Sequence, residues 1–174
     1  MDGGAEVRKK YIIVTVMVIL TFVLTSCDST GYQKTISKEL GIDVSSGNEL
    51  SYSDDHGGFH GDGTTFVSLS FSDEKVLEQI KENTNWKAFP LDDTVRTLVY
   101  GVSDETRSIG PFLTDNEGDP LVPDIQNGYY ILIDRQVKGE QATGADILHR
   151  NSFNFTLGIY DVDTNILYFC ELDT

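Results

Sequence analysis

Phe153-Asn154-Phe155-Thr156-Leu157-Gly158-Ile159-Tyr160, followed by Asp163-Thr164-Asn165 and then Ile166–Leu172, is the stretch that decides the fold. Phe153, Phe155, Leu157 and Ile159 fall at every second position, with Asn154, Thr156 and Gly158 between them. Successive side chains of a strand point to opposite faces, so this alternation predicts a strand with an apolar inner face. Asp-Thr-Asn supplies turn chemistry, and Ile166–Leu172 returns as a second strand, which makes an antiparallel hairpin. Tyr129–Asp134 reads as a strand that is apolar on both faces from Tyr130 through Ile133, which places it centrally in a sheet. Thr64–Phe71 points Val67, Leu69 and Phe71 to one side and Ser68 and Ser70 to the other. Glu49–Ser53 is a weaker strand signal.

Three short helices are expected among these strands. Ile36 and Leu40 sit four apart in Gln33–Leu40, ahead of Gly41. Ser72 is expected to cap a helix that opens with Asp73 and Glu74 and buries Val76, Leu77 and Ile80. A further helix starts at Asp92-Asp93, buries Val95, Leu98 and Val99, and stops at Gly101. Trp86, Phe89 and Leu91 read as core anchors in the connection. Residues 102–127 show no clear period and hold Pro111, Pro120 and Pro123; a loop of that length is functional or conceals structure. Residues 136–151 are polar, with one helical turn around Asp146–His149. The sum is an α+β domain over residues 35–174: a largely antiparallel sheet, two or three short helices and a C-terminal β-hairpin.

Residues 1–26 have a different character. Arg8-Lys9-Lys10 precede Tyr11–Leu24, 14 residues without a charge, and Leu24-Thr25-Ser26-Cys27 closes the run. Fourteen residues make a helix of about 21 Å, short of the roughly 30 Å hydrocarbon core of a bilayer. Basic head, apolar core and small-residue end are the three parts of a secretory signal. The closing tetrapeptide resembles the lipobox of bacterial lipoproteins. That resemblance implies a diacylglyceryl group on the Cys27 thiol, cleavage just before Cys27, and a lipidated Cys with a short tether over residues 27–34. Two acyl chains, palmitate among them, hold a protein stably on a membrane, where one holds it only marginally. The expected location is the extracytoplasmic face of the cell membrane. Asp28 resembles an inner-membrane retention signal in bacteria with two membranes and carries no such meaning in those with one.

Cleavage lowers Lys+Arg from 13 to 10 and Asp+Glu from 28 to 26, leaving a net charge near −16. Such a surface is repelled by nucleic acid, which is excluded as a partner. Acylation of Cys27 leaves Cys170 as the only other cysteine, so no intrachain disulfide forms and the fold rests on its core.

The densest polar cluster is Asp54-Asp55-His56-Gly57-Gly58-Phe59-His60-Gly61-Asp62-Gly63. Imidazole and carboxylate ligate zinc at about 2.0–2.2 Å. His56 and His60 would lie about 13 Å apart on a straight strand, but a glycine-rich loop can fold back. Asp55, His56, His60 and Asp62 are therefore candidate metal ligands, with zinc the candidate ion. The competing reading is a structured hairpin connection or a partner-contact loop, and the His-Glu-x-x-His spacing of metalloproteases is absent. Thr114–Asp119 and Asp161–Asn165 superficially suggest calcium ligands, but the sixth positions are Pro120 and Ile166 where the calcium loop needs glycine. Gly101-Val102-Ser103-Asp104-Glu105 lacks the closing glycine of a nucleophile elbow. Cys170 reads as a packed small residue and His149 as a solvated loop residue. Tyr129, Tyr130, Phe153, Phe155, Tyr160, Tyr168 and Phe169 have strand spacing and read as core and sheet face, with a glycan-stacking surface as the alternative.

Asp55–Gly63, Asn127–Asp134 and Phe153–Thr174 resemble stretches of uncharacterised small lipoproteins of Gram-positive bacteria, a resemblance that implies the envelope location and no catalytic residue. The expectation is a membrane-anchored, non-enzymatic binding domain whose partner is an envelope protein or a small ligand. The alternative is a divalent-metal protein or metal-dependent hydrolase built on Asp55–Asp62. Zinc titration separates them: a zinc site gives stoichiometric uptake that His56→Ala/His60→Ala abolishes. Uptake that is absent, or unchanged by the double substitution, eliminates the metal reading.

Overall fold

The sheet is built outward from β7 (Asn154–Asp161). The computed structural model describes residues 31–57, 61–137 and 146–174; residues 1–30, with Cys27, lie outside them. β8 (Ile166–Asp173) pairs antiparallel with one edge of β7 over its full length, from Asn154↔Asp173 to Asp161↔Ile166. β6 (Gly128–Asp134) pairs with the other edge, Gly128↔Asp161 to Asp134↔Phe155. β2 (Gly63–Ser70) lies beyond β8, and β1 (Asn48–Asp54) forms the outer edge with a register shift between Glu49 and Ser51. The two-residue β3 (Lys87–Ala88) closes the opposite edge against β6, giving the order β1-β2-β8-β7-β6-β3. β4 (Val102–Ser103) and β5 (Ser108–Ile109) form a separate small hairpin. The α+β reading therefore stands, with every strand pair antiparallel among the described residues.

Strand alternation sends two sets of side chains to two cores. On one face Val67, Leu69, Ile131, Tyr160, Leu167 and Phe169 pack against α1 (Gly31–Leu40) and α2 (Lys75–Glu82), through Ile36, Leu40, Val76, Leu77 and Ile80. On the other, Phe155, Leu157, Ile159, Cys170 and Leu172 pack against α3 (Asp93–Tyr100), through Val95, Leu98 and Val99. Both faces are covered, which is why β6 is apolar on both sides although it stands next to the edge rather than at the centre. A sheet strand buried on both faces loses its inside–outside alternation.

The local signals hold at α3. The Asp92 side chain accepts from the Val95 N–H at 2.9 Å, and the Gly101 N–H closes the last turn on the Thr97 carbonyl. They fail at α2, which starts at Lys75 and has no Ser72 cap; Asp73 instead accepts from the Lys75 N–H at 3.2 Å. The Phe71 N–H bonds the Asn165 carbonyl, which keeps the chain tied to the sheet up to that point. α1 begins at Gly31, so residues 31–34 of the expected tether are helical. Residues 102–127 are also more than a loop: besides the β4–β5 hairpin they bury Leu113, Val122 and Ile125 in the second core. One helical turn, Ile147–His149, stands where expected and buries Ile147.

Gly128 fixes how β3 and its continuation meet the sheet. A Cβ there would sit 2.3 Å from the Tyr160 carbonyl oxygen and 3.3 Å from the Phe89 ring. The Phe89 N–H in turn bonds the Gly128 carbonyl at 3.0 Å. Gly128→Ala forces β6 from β7 and is expected to cost about 1–3 kcal/mol, the usual range for overpacking a close contact. Urea unfolding checks this; a midpoint equal to that of the unsubstituted protein would contradict the close approach.

Candidate functional site

The histidine–aspartate loop joins β1 to β2. The Asp55 N–H bonds the Thr64 carbonyl at 3.1 Å, the Gly57 N–H bonds the Asp62 carbonyl at 3.3 Å, and the Asp55 carboxylate accepts from the Thr64 N–H. His56 turns inward: Nδ1 is 2.8 Å from Asp54 Oδ1 and Nε2 is 3.1 Å from Asp173 Oδ2. Both ring nitrogens face carboxylates, the arrangement an imidazolium satisfies by donating twice. Burial disfavours that charge, but the hydrogen bonds to Asp54 and Asp173 outweigh it and raise the His56 pKa above its ordinary value. The same hydrogen bond holds Asp54 below the usual carboxylate range. Of the four candidate ligands, Asp55 and His56 thus serve as internal partners of the hairpin and its neighbours, and Asp62 contributes its backbone. His60 lies outside the described residues. Among those residues no group of three or more His, Cys, Asp or Glu is arranged to hold a metal ion.

Sheet register extends this cluster. Asp54, Thr65, Glu171 and Thr156 are successive cross-strand partners on β1, β2, β8 and β7, and they form a polar row on the α1 face. Above the row Glu39 of α1 accepts from the Thr156 hydroxyl at 2.9 Å. Arg135 clamps the far end, with Nη1 2.9 Å from Glu171 and Nη2 2.7 Å from Asp173. Burial and the neighbouring Glu39 charge push Glu171 up to about 6, against the pull of Arg135. The sequence gives no local sign of this meeting, because Glu39, Arg135 and Glu171 come from distant elements.

A second site lies on the opposite face of the sheet. The connection from β3 to α3, the outer side of α3 and residues 124–126 enclose an open cleft of about 290 Å³. Phe89, Pro90, Leu91, Tyr100 and Ile125 give it apolar walls. Phe89 is held edge-on to Tyr130 at 6.1 Å, and the Tyr100 hydroxyl ties down the opposite lip by donating to the Pro123 carbonyl at 2.6 Å. Arg96 and Asp124 line the same cleft without forming an ion pair with each other. Arg96 has no ion-pair partner among the described residues. Asp92, one turn before it, is occupied: Oδ1 takes the Val95 N–H, while Oδ2 takes Lys87 Nζ at 3.2 Å and the Tyr130 hydroxyl at 3.1 Å. Asp124 accepts from Gln126 Nε2 at 2.9 Å. Burial and the nearby Asp124 charge raise the Tyr100 pKa.

The remaining sequence candidates take structural places. Cys170 is fully buried and its thiol is pushed up to about 12 by burial, far from a reactive thiolate. Asp115 accepts from the N–H groups of Glu117 and Asp119, and Asp161 accepts from the Asp163 N–H and the Thr164 hydroxyl, so both stretches are carboxylate-braced turns. Tyr130, Phe155, Tyr160 and Phe169 are core. Trp86 is buried in the first core as expected, while Phe89 and Leu91 are half-buried, packed against the second core and lining the cleft. No family model matches the chain, and no curated protein or solved structure is significantly similar to it.

A carboxyl whose pKa rises on folding favours the folded state while it is protonated. For Glu171 that stabilisation is complete below its ordinary value of 4.5 and is lost as the pH rises through about 6. His56, also raised, loses its contribution in the same direction as the pH climbs past 6.5. The folding free energy is therefore expected to fall between pH 4.5 and 7. The Glu171 share is on the order of 1 kcal/mol after solvent screening at a half-buried site. Urea midpoints across that range should decline for the unsubstituted protein and decline less for Glu171→Gln. Parallel declines would rule out Glu171 as the group responsible.

Proposed function

We propose that this chain is a lipid-anchored binding domain on the extracytoplasmic face of the cell membrane, non-enzymatic, with the cleft between Phe89 and Ile125 as its ligand-binding surface. The anchor rests on Leu24-Thr25-Ser26-Cys27, which closes a 14-residue apolar run behind Arg8-Lys9-Lys10. A net charge near −16 keeps it soluble there and away from anionic headgroups.

The binding half rests on one observation: Arg96, a cation with no ion-pair partner among the described residues, lines an apolar-walled cleft open to solvent. Small-molecule sites combine apolar walls with a few placed polar groups, and about 290 Å³ suits a small ligand. A cation left without an internal carboxylate in a domain this acidic is available to a ligand.

Growth with labelled palmitate tests the anchor. The intact chain is expected to take up label and to be shortened to Cys27, whereas Cys27→Ala takes up none and stays at precursor length. Equal labelling of both proteins would overturn the anchor.

A further inference from the structure

We infer that the cleft takes a zwitterion of amino-acid or dipeptide size with an apolar side chain, its carboxylate on Arg96 and its ammonium on Asp124. The inference rests on the reading of the cleft as the ligand site and adds the chemistry of the ligand. Arg96 and Asp124 line one cleft from different elements, α3 and the segment before β6, yet do not bond each other. Two opposite charges facing the same space out of ion-pair contact present complementary ends to a molecule that carries both. Phe89, Leu91 and Ile125 line the same cleft, and their apolar surface suits a hydrocarbon or aromatic side chain.

Global charge selects further. An anion must approach a domain near −16 to reach Arg96, and long-range repulsion opposes it. A cation is attracted, but to carboxylates over the whole surface, and Arg96 repels it from this cleft. A zwitterion is neutral at a distance and is recognised only where plus and minus are correctly spaced. The rim is braced for that role. Gln126 holds the Asp124 carboxylate at 2.9 Å, and the Tyr100 hydroxyl fixes the backbone at Pro123 beside it. On the other side, Asp92 is saturated by Lys87, Tyr130 and the Val95 N–H, and does not neutralise Arg96. A carboxylate–guanidinium pair is the directional contact that orients such a ligand.

Isothermal titration of the full-length chain in detergent tests the proposal with leucine and leucyl-leucine as probes. N-acetyl-leucine and leucinamide serve as the forms lacking one charge, and glycine as the form lacking the side chain. At least one of the two zwitterionic probes is expected to bind, and its size identifies the ligand's. The blocked forms and glycine should bind at least tenfold more weakly. Arg96→Gln should weaken the zwitterion at least tenfold while leaving leucinamide unaffected, and Asp124→Asn should do the same relative to N-acetyl-leucine. Blocked forms that bind as well as the parent would overturn the zwitterion while leaving the cleft a binding site. If no probe binds at millimolar concentration, the ligand assignment fails, and palmitate labelling of Cys27 reports separately on the anchor.

Discussion

The whole domain depends on β7 being buried on both faces at once. Phe155, Leu157 and Ile159 point into the α3 core, while Thr156, Gly158 and Tyr160 point toward α1 and α2, and every one of them is buried. β8 pairs along the whole of one edge and β6 along Phe155–Asp161 of the other, so the strand is held by backbone bonds on both sides. Gly158 brings the helical layer close to the strand: a Cβ there would come within 3.0 Å of Leu40 and Trp86 and 3.1 Å of Ile131. The Trp86 indole N–H then bonds the Leu40 carbonyl at 3.1 Å, locking the end of α1 to the segment that follows α2. A larger residue at 158 would lift the helical layer from the sheet.

That constraint explains which parts of the fold are legible in the sequence. β7, its hairpin turn and β8 are readable because the alternation and the Asp-Thr-Asn turn are local signals, and Asn165 adopts the positive φ the turn needs. α3 is readable for the same reason, through Asp92 and Gly101. Residues 102–127 are not, because Leu113, Val122 and Ile125 fill gaps left by other elements and follow no helical or strand period. β6 misleads in a specific way: burial on both faces argues for a central strand, whereas here a second helical layer produces the same pattern near the edge.

The candidate site residues divide along similar lines. Asp55 and His56 stand out in the sequence as possible ligands, yet the short loop turns their polar atoms onto Thr64, Asp54 and Asp173. Residue type signals chemistry, but only the tertiary partners decide whether the lone pairs are free. Arg96 has the opposite history. Nothing distinguishes it in a helical stretch with Asp92 one turn away, a spacing that ordinarily predicts an ion pair. Arg96 makes no ion pair with Asp92, whose carboxylate is instead reached by Lys87 and Tyr130, from β3 and β6.

The two polar sites also differ in what surrounds them. On the α1 face Arg135 pairs with Glu171 and Asp173, and Asp173 with His56, so the raised pKa values of Glu171 and His56 bear on stability. The cleft charges lie on the α3 face, where neither has an internal partner of opposite sign among the described residues. The two-faced burial of β7 is what separates the two sites. A one-layer sheet of this size would have to place both polar sites on the same side of its core.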